Sequence, residues 1–377
     1  MNKVIIIGGG IAGLSAAIAL KKIGIECEVY ETAPEIRAVG AGIVMASNAL
    51  QVFGKFGFAD KIIRAGAELE NFVISDEKFR PIRAMNQNWI REKFGFGNTA
   101  IHRADLQNIL IDELGREHLF LGKQFLSFEQ KENKITAYLK DGTSAKGDFL
   151  IGADGIHSAV RNQLFPDIPY RYTNQTCWRG ITHITVPEFL KNGAVEAWGN
   201  QKRLGVVPVG DEKIYWFAVL SEKPGGKDNP DLLKDYLKNL FSDFHPFGSE
   251  LIEKTSSNNI IRNDLYDFKP LKKWHNGRVC LIGDAAHATT PNMGQGGCQA
   301  VEDAWILHSV FSENKTPQEA FQIFQERRIK KTTRITNQSF SMGQMAHWKY
   351  GRGLRNAFLK MLPKSLSQKG IEWVLKI

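Results

Sequence analysis

The chain has 377 residues. A single hydrophobic core rarely organises a chain of this length, so we expect two domains. Apolar residues make up 43% and charged residues 24%, which is ordinary for a soluble globular protein. The net charge of +9 suits an anionic cofactor, an acidic substrate or an anionic membrane surface. A nucleic acid partner is not expected, because no basic tract is interleaved with aromatic residues.

The four cysteines lie far apart, without C-x-x-C or metal-ligand spacing. We therefore expect buried or half-buried thiols and neither disulfides nor a metal site. The first strand begins almost at Met1 without a signal-peptide pattern, and no apolar run approaches the roughly 20 residues of a membrane span. The expected location is the cytoplasm.

A β-branched run at residues 4–7 predicts a buried strand that stops at three glycines. Gly8, Gly10 and Gly13 fit G-x-G-x-x-G, in which the first makes a tight turn, the second admits a pyrophosphate and the third packs a helix on the sheet. The next strand closes at Glu31, and a carboxylate at this distance from the glycines accepts hydrogen bonds from a ribose diol. The pattern predicts a dinucleotide site without distinguishing NAD, NADP and FAD. The residues assigned to the turn are Gly8, Gly10, Ile11, Ala12 and Gly13.

The loop after Glu31 carries Arg37 and Gly42. Arg37 is a natural phosphate or ribityl partner, with a solvated loop arginine as the alternative, and Gly42 indicates backbone passing close to a ligand. Helices are predicted over residues 48–56 and 100–114, the second ending at Gly115.

The composition changes over residues 71–97 and 170–261, which are strand-like, the second being rich in aromatic residues. They predict a second, mainly antiparallel sheet. A buried-strand pattern returns at Gly277, so the first domain is discontinuous. The predicted division is residues 1–70, 98–169 and 262–340 for the cofactor domain, 71–97 and 170–261 for the sheet domain, and 341–377 for a C-terminal helical tail.

Two further motifs each follow an apolar strand and precede a helix: GADGIHSAVR at residues 152–161 and GDAAHATTPNMGQGG at residues 283–297. With the opening glycines they resemble the single-component FAD-dependent aromatic monooxygenases, the class of p-hydroxybenzoate hydroxylase, salicylate hydroxylase and zeaxanthin epoxidase. The resemblance covers nearly the whole chain, and residues 289–297 are most similar to the zeaxanthin epoxidase and urate hydroxylase branches. It implies an α/β protein with a Rossmann-like FAD-binding domain, a second, mainly antiparallel sheet domain and C-terminal helices.

The motif at residues 283–297 suits a flavin. Asp284, at the end of a strand, can accept hydrogen bonds from ribityl hydroxyls, and Pro291 fixes a turn beside the isoalloxazine. The segment that follows presents backbone N–H groups at a helix N-terminus, which stabilises negative charge. Its residues are Gly294, Gln295, Gly296 and Gly297.

The resemblance assigns three more cofactor residues. Arg103 matches the arginine that contacts FAD, and Phe125 aligns with the residue whose backbone meets the adenine. Asp154 matches a motif thought to serve both FAD and NADPH, with a turn and N-cap role as the alternative.

The resemblance also implies the reaction. NADH or NADPH reduces bound FAD, O₂ adds at flavin C4a, and the hydroperoxide hydroxylates or epoxidises a small aromatic or conjugated substrate. No catalytic side chain is assigned, because the flavin carries the chemistry. Two alternatives stay open: an FAD-dependent reductase or halogenase of the same fold, although the halogenase signature W-x-W-x-I-P is absent, and a non-catalytic flavin-binding sensor.

Substrate contacts are expected from the second sheet, where each aromatic residue has ordinary packing as its alternative. The candidates are Trp178, Trp198, Arg203 and Tyr215. Asn292 is a further candidate; bacterial urate hydroxylases carry an aspartate there, which puts urate in doubt as the substrate.

The tail carries apolar residues at helical spacing among basic residues, with Leu354, Phe358 and Met361 in the stripe. In one interpretation the stripe docks on the protein's own body or a second subunit, giving a monomer or a homodimer. In the other it lies on an anionic membrane and draws an apolar substrate from the lipid.

Overall fold

The computed structural model describes residues 3–36, 41–210, 212–313 and 315–377. The chain divides into two compact units, each built from three segments. Unit 1 consists of Met1–Arg37, Gln107–Arg171 and Asp267–Ser339. Unit 2 consists of Ala38–Leu106, Tyr172–Tyr266 and Phe340–Ile377.

The strands of the described residues are β1 Lys3–Ile7, β2 Glu26–Tyr30, β3 Gly42–Met45, β4 Ala67–Leu69, β5 Asn71–Ser75, β6 Pro81–Asn86, β7 Asn98–His102, β8 Leu119–Phe120, β9 Phe125–Lys131, β10 Lys134–Leu139, β11 Ser144–Gly147, β12 Phe149–Gly152, β13 Tyr170–His183, β14 Gly193–Trp198, β15 Lys202–Pro208, β16 Lys213–Ser221, β17 Ile261–Phe268, β18 His275–Asn276 and β19 Val279–Leu281.

The helices are α1 Ile11–Lys21, α2 Ser47–Phe56, α3 Ala59–Ala65, α4 Asn88–Phe94, α5 Arg103–Leu114, α6 Ala159–Leu164, α7 Leu233–Leu240, α8 Pro246–Lys254, α9 Asp284–His287, α10 Gly296–Phe311, α11 Pro317–Ala346, α12 Arg352–Met361 and α13 Lys364–Leu375.

Unit 1 is built on a six-stranded sheet in the order β18-β19-β12-β1-β2-β8. Its four central strands are parallel, and Val4, Ile5 and Ile6 of β1 are fully buried, as expected for a parallel strand covered on both faces. Pairing sets Gly152 of β12 beside Ile7 on one side and Leu281 on the other. The three sequence motifs therefore begin at the carboxyl ends of adjacent strands, where ligands bind in open α/β sheets. A small antiparallel sheet, β11-β10-β9, completes the strands of this unit.

Unit 2 is built on a seven-stranded sheet in the order β17-β13-β16-β15-β14-β5-β6, in which β14 and β5 are parallel. Alternation along β16 separates its two faces. Trp216 and Ala218 pack with α7 and α8 in one core, whereas Tyr215 and Phe217 belong to a cluster on the opposite face. A second antiparallel sheet, β3-β7-β4, lies in the same unit.

The predicted fold class is confirmed, but two boundaries differ. Residues 98–102 form strand β7, so the helix predicted from residue 100 begins at Arg103. Residues 38–70 and 98–106, expected in the cofactor domain, cluster with unit 2 because their strands pair with one another in the β3-β7-β4 sheet and do not join the parallel sheet. The C-terminal segment from Phe340 also belongs to unit 2.

The four cysteines are buried thiols that form no disulfide, as predicted. Among the described helices, none is long and apolar enough to cross a bilayer. The described residues also contain no group of three or more histidine, cysteine or acidic side chains placed to hold a metal ion.

Candidate active site

The turn after β1 depends on glycine at two positions. Gly8 has φ +110°, and a Cβ there would lie 2.4 Å from the carbonyl oxygen of Ala153. A Cβ on Gly13 would lie 1.9 Å from the carbonyl oxygen of Gly8. Both contacts are with backbone that cannot move aside, so these glycines hold β1, α1 and the end of β12 together.

Gly10 is different, because a Cβ there would meet no atom within 4 Å. It is the N-cap of α1 and offers no side-chain cap to the first N–H groups of this 11-residue helix. Ile11 and Ala12 open this helix, the first buried and the second half-buried. Such a helix N-terminus is suited to an anion.

The carboxylate of Glu31 is fixed beside the glycine turn. Its Oε2 accepts a hydrogen bond from the backbone N–H of Gly9 at 2.7 Å, and its Oε1 accepts one from the N–H of Ala33 at 2.8 Å. The side chain is half-exposed. An oriented carboxylate therefore lies next to the glycine turn.

The loop after β19 brings a carboxylate to a second helix N-terminus. Asp284 is exposed between buried neighbours, and its Oδ1 lies 3.9 Å from the position of a Cβ on Gly296, the first residue of α10. The 3₁₀ turn Pro291–Met293 ends at Gly294, which has φ +62°. Asp284, Pro291, Gly294 and Gly296 thus belong to one loop that ends at the N-terminus of α10.

The side chains of two predicted residues of this loop form hydrogen bonds within the protein. Gln295 is buried, and its Oε1 accepts a hydrogen bond from Gln299 Nε2, so its side chain faces the protein interior. Asn292 donates from Nδ2 to Thr290 Oγ1 and to the carbonyl oxygen of Ser339, both at 2.9 Å. This amide therefore fastens the loop to α11, and an aspartate could not donate these two bonds.

A buried polar network behind the loop was not predicted; we call it the α11 network. Asp303 Oδ2 accepts hydrogen bonds from Gly283 N–H at 2.9 Å and from His287 Nε2 at 2.7 Å, and its Oδ1 accepts one from Arg328 Nε at 2.7 Å. Burial alone would raise the pKa of Asp303, but His287 and Arg328 hold it below its usual value. The network therefore keeps the Asp303 carboxylate ionised beside Gly283, the residue that precedes Asp284.

The α11 network reaches the other end of the loop as well. Arg328 donates to Glu302 Oε2 at 2.6 Å and to Gln299 Oε1 at 2.7 Å, and Gln299 in turn donates to Gln295. Lys331 pairs with Glu302 at 2.8 Å. One arginine of α11, Arg328, thus holds Gly283 through Asp303 and Gln295 through Gln299. Gly283 and Gln295 are the residues that precede Asp284 and Gly296.

The middle motif, residues 152–161, supports the same region. Asp154 accepts hydrogen bonds from Ser158 Oγ and from the N–H groups of Ala159 and Val160, so it ties its turn to the start of α6. Burial raises the pKa of Asp154. These contacts fit the turn role named as its alternative, whereas the N-cap of α6 is Ser158. Arg161 is buried and donates to the carbonyl oxygen of Ala285 at 3.2 Å, which joins this motif to the loop after β19.

The remaining cofactor candidates divide between the two units. Phe125 is a buried residue at the start of β9 in unit 1. Gly42 and Arg103 belong to unit 2, where a Cβ on Gly42 would lie 2.6 Å from the side chain of Tyr215 and the N–H of Arg103 bonds to the carbonyl oxygen of Ala41. Arg37 lies outside the described residues.

The four sheet candidates for substrate contact divide between the two faces of the unit 2 sheet. Trp178 pairs with Ala218 and packs in the core beneath α7 and α8, where its indole N–H bonds to Asp228 at 2.8 Å. Tyr215 lies on the other face, and burial raises its pKa. The position of Trp178 favours packing over substrate contact.

Arg203 and Trp198 face each other across β14 and β15, on the same face as Tyr215. Arg203 is 3% exposed and bonds to Glu196 at 3.0 Å and to His347 Nε2 at 2.9 Å. The charge of Arg203 is thus matched inside the protein by Glu196.

Arg179 is a residue of this face that sequence reasoning missed. It pairs across the sheet with Phe217, next to Tyr215 in β16. Its Nε is buried and has no hydrogen-bond partner among the described residues, while its terminal nitrogen donates to Asn263. Alternation along β13 puts Arg179 on the face opposite to Trp178, and this period of two is the signal in the sequence that identifies it.

The chain is similar to known proteins over nearly its whole length. A family model described as "FAD binding domain" matches residues 1–338. Aurachin C monooxygenase/isomerase of Stigmatella aurantiaca is 37% identical over 361 residues, which cover 95% of this chain and 94% of that protein. 2-Heptyl-3-hydroxy-4(1H)-quinolone synthase of Pseudomonas aeruginosa is 31% identical over 369 residues, covering 96% and 94%. The solved structure of Klebsiella pneumoniae HpxO complexed with FAD and uric acid has a TM-score of 0.93 at 29% identity and covers 99% of this chain and 96% of its own.

Proposed function

The chain belongs to the FAD binding domain family and is an FAD-dependent monooxygenase, and from this premise we propose that it uses NADH or NADPH and O₂ to hydroxylate or epoxidise a nitrogen-containing aromatic ring. One observation carries the proposal. Three motifs start at the carboxyl ends of β1, β12 and β19, which are adjacent strands of one parallel sheet. That edge is where a dinucleotide with a reactive ring would lie.

The residues present fit FAD. The open space at Gly10 leaves room for a pyrophosphate against the N–H groups of α1, and the fixed carboxylate of Glu31 would hold a ribose diol. Asp284 would accept hydrogen bonds from the ribityl chain. Thr289 Oγ1, a buried atom without a hydrogen-bond partner among the described residues, lies in the same loop and would bond to the cofactor.

When bound, FAD supplies the electron transfer and the oxygen chemistry, and the protein orients and shields it. The N-terminus of α10 would face the edge of the ring that gains negative charge on reduction, since the helix dipole and the free N–H groups there favour an anion. The α11 network would keep this end of α10 and Asp284 in a fixed relation. Asp154 would act indirectly, through the turn that it ties to α6.

We further propose that the substrate ring is held by the unit 2 face that carries Tyr215, Phe217 and Arg179. The two aromatic rings would stack on it, and the unpartnered Nε of Arg179 would donate to a ring carbonyl. The quinolone and uric acid named for the two relatives are nitrogen heterocycles that carry carbonyl groups, which supports this class. Arg203 would hold its strand in place through Glu196.

The test uses the purified holoprotein. NADH and NADPH oxidation is measured with 4(1H)-quinolones with and without a 2-alkyl chain, urate and salicylate, and products are identified by mass. We expect one ring class to accelerate oxidation and to gain one oxygen atom. Oxidation that no ring accelerates, with the flavin still reduced, would favour the reductase or sensor alternatives.

Two variants locate the ring. Arg179→Gln should raise KM for the accepted ring about tenfold or more, the effect expected for a lost hydrogen bond to a charged donor. Trp178→Phe, in the same strand but on the opposite face, is the control and should leave KM within about twofold. If both variants raised KM equally, the sheet face that carries Arg179 would not be the face that binds the ring.

A further inference from the structure

The outer face of α12 is apolar and uncovered. Leu354, Phe358 and Met361 are 75%, 57% and 81% exposed, and their spacing of i, i+4 and i+7 places them on one side of the helix. Leu359, on the opposite side, is 6% exposed and packs on the protein. The helix thus has two apolar faces, and the protein's own body covers only one of them.

The orientation of α12 is fixed by specific bonds. Arg83 of β6 donates from one nitrogen to the carbonyl oxygens of Leu359 and Leu362, at 2.7 and 2.8 Å, and from another to Ser367 Oγ. Arg352 pairs with Glu77 at 2.7 Å. The bonds of Arg83 and Arg352 therefore fix the orientation of α12, and in this orientation the stripe faces solvent.

The chain segment that carries the stripe has one sign of charge. Residues 340–371 contain six lysines and arginines and no aspartate or glutamate. Arg352 and Arg355 are engaged within the protein, whereas four lysines are exposed: Lys349, Lys360, Lys364 and Lys369. Leu366, in α13, adds a further apolar side chain that is 57% exposed.

We propose that this face, formed by α12, the start of α13 and the four exposed lysines, docks on an anionic lipid bilayer. Apolar side chains that enter the acyl boundary, with lysines at the level of the headgroups, are the chemistry of an interfacial helix. A second copy docked symmetrically would bring the same lysines together, which costs free energy through like-charge repulsion. A nucleic acid would satisfy the lysines but would leave the aliphatic side chains in water.

Bilayer docking is independent of the reaction assigned above. One consequence does rest on the proposed function: ring compounds with alkyl chains partition into lipid, so a docked enzyme would meet them there. The substrate assay in detergent-free buffer with a water-soluble ring therefore separates the two ideas, since it tests the chemistry without the lipid.

The experiment is vesicle flotation with the full-length holoprotein. Vesicles of phosphatidylcholine with phosphatidylglycerol are compared with phosphatidylcholine alone at low and physiological salt. We expect binding to the anionic vesicles that weakens as salt rises. Replacing Lys360, Lys364 and Lys369 by Gln should weaken binding by on the order of a hundredfold, at roughly fivefold per lysine.

Surface variants test the apolar part. Phe358→Glu combined with Met361→Glu should abolish flotation and leave the unfolding temperature unchanged, because both side chains are exposed. Leu126→Glu, at a leucine of β9 that is also 57% exposed, is the control and should still float. No binding at low salt, or undiminished binding of the double variant, would overturn the proposal. So would a native dimer that the double variant converts to a monomer, since a second copy would then be the occupant.

Discussion

At the scale of single residues, the carboxylate of Glu31 is oriented before any ligand arrives, since two backbone N–H groups hold it. Glu31→Ala should raise the dissociation constant of FAD by roughly ten- to a hundredfold, the usual effect of a lost hydrogen bond to a charged group. Titration of apoprotein with FAD, followed by flavin fluorescence, measures it. Glu26→Ala, at the exposed start of the same strand, is the control. Stoichiometric FAD of unchanged affinity in the Glu31 variant would rule out the ribose assignment.

Asp303 acts on the loop from behind, through Gly283 and His287. Asp303→Asn would place an amide against the Arg328 guanidinium and would disturb both ends of the loop, so we expect a lower unfolding temperature and at least a tenfold weaker affinity for FAD. Asp267→Asn changes another buried aspartate of unit 1, which pairs with the half-buried Arg171 at 2.7 Å, and should lower stability with little change in FAD affinity.

Calorimetry of the apoproteins and FAD titration separate the two effects. If both variants lost FAD affinity in proportion to their loss of stability, the α11 network would only stabilise the fold. If only Asp303→Asn lost affinity, Asp303 would be a positioning residue for the cofactor loop.

At the scale of elements, two helix N-termini meet the proposed cofactor, and their glycines differ in what surrounds them. A Cβ at Gly10 would meet nothing within 4 Å, and one at Gly296 would approach no atom closer than 3.6 Å. Gly10→Ala and Gly296→Val should therefore fold, yet fill the space that FAD needs, and give colourless or inactive protein. Gly370→Val, at another helical glycine with open surroundings, should keep its colour.

Gly13→Ala should behave in the opposite way, because its Cβ would collide with the backbone of Gly8. We expect little soluble protein or a strongly lowered unfolding temperature. Absorbance at the flavin bands and circular dichroism distinguish loss of cofactor from loss of fold. Parent-level turnover by Gly296→Val would show that this loop does not wall the flavin.

These elements also show why some features could be predicted and others could not. The glycine turn and the loop at Asp284 are local, because turn geometry requires glycine and a carboxylate at fixed offsets, and the resemblance that they support is confirmed. Arg328 lies in α11, 25 residues after its partner Asp303, and no local pattern joins them. Strand alternation places Trp216 and Tyr215 on opposite faces of β16, but the tertiary packing of α7 and α8 decides which face is core.

At the scale of the whole molecule, each unit is assembled from three separated segments, so distant parts of the chain complete one core. The tail illustrates this. Leu359 packs with Ile74, Ile82, Trp198 and Ala346. Near the C-terminus, Val374 and Leu375 are buried as well, and Gln51 donates to the carbonyl oxygen of Leu375 at 3.0 Å.

A chain truncated after Lys349 should therefore unfold at a lower temperature than the full chain, because the truncation removes buried side chains of α12 and α13. Each fully buried leucine or valine contributes about 1.5–3 kcal/mol to stability, so the loss would be several degrees or more. The exposed double variant at Phe358 and Met361 should change stability by no more than about 0.5 kcal/mol per site. Calorimetry of both proteins tests this contrast. Equal unfolding temperatures for the truncated and full chains would mean that the tail is not part of the unit 2 core. A clear drop would mean that truncation alters fold and surface together, so lipid docking must be judged from the surface substitutions.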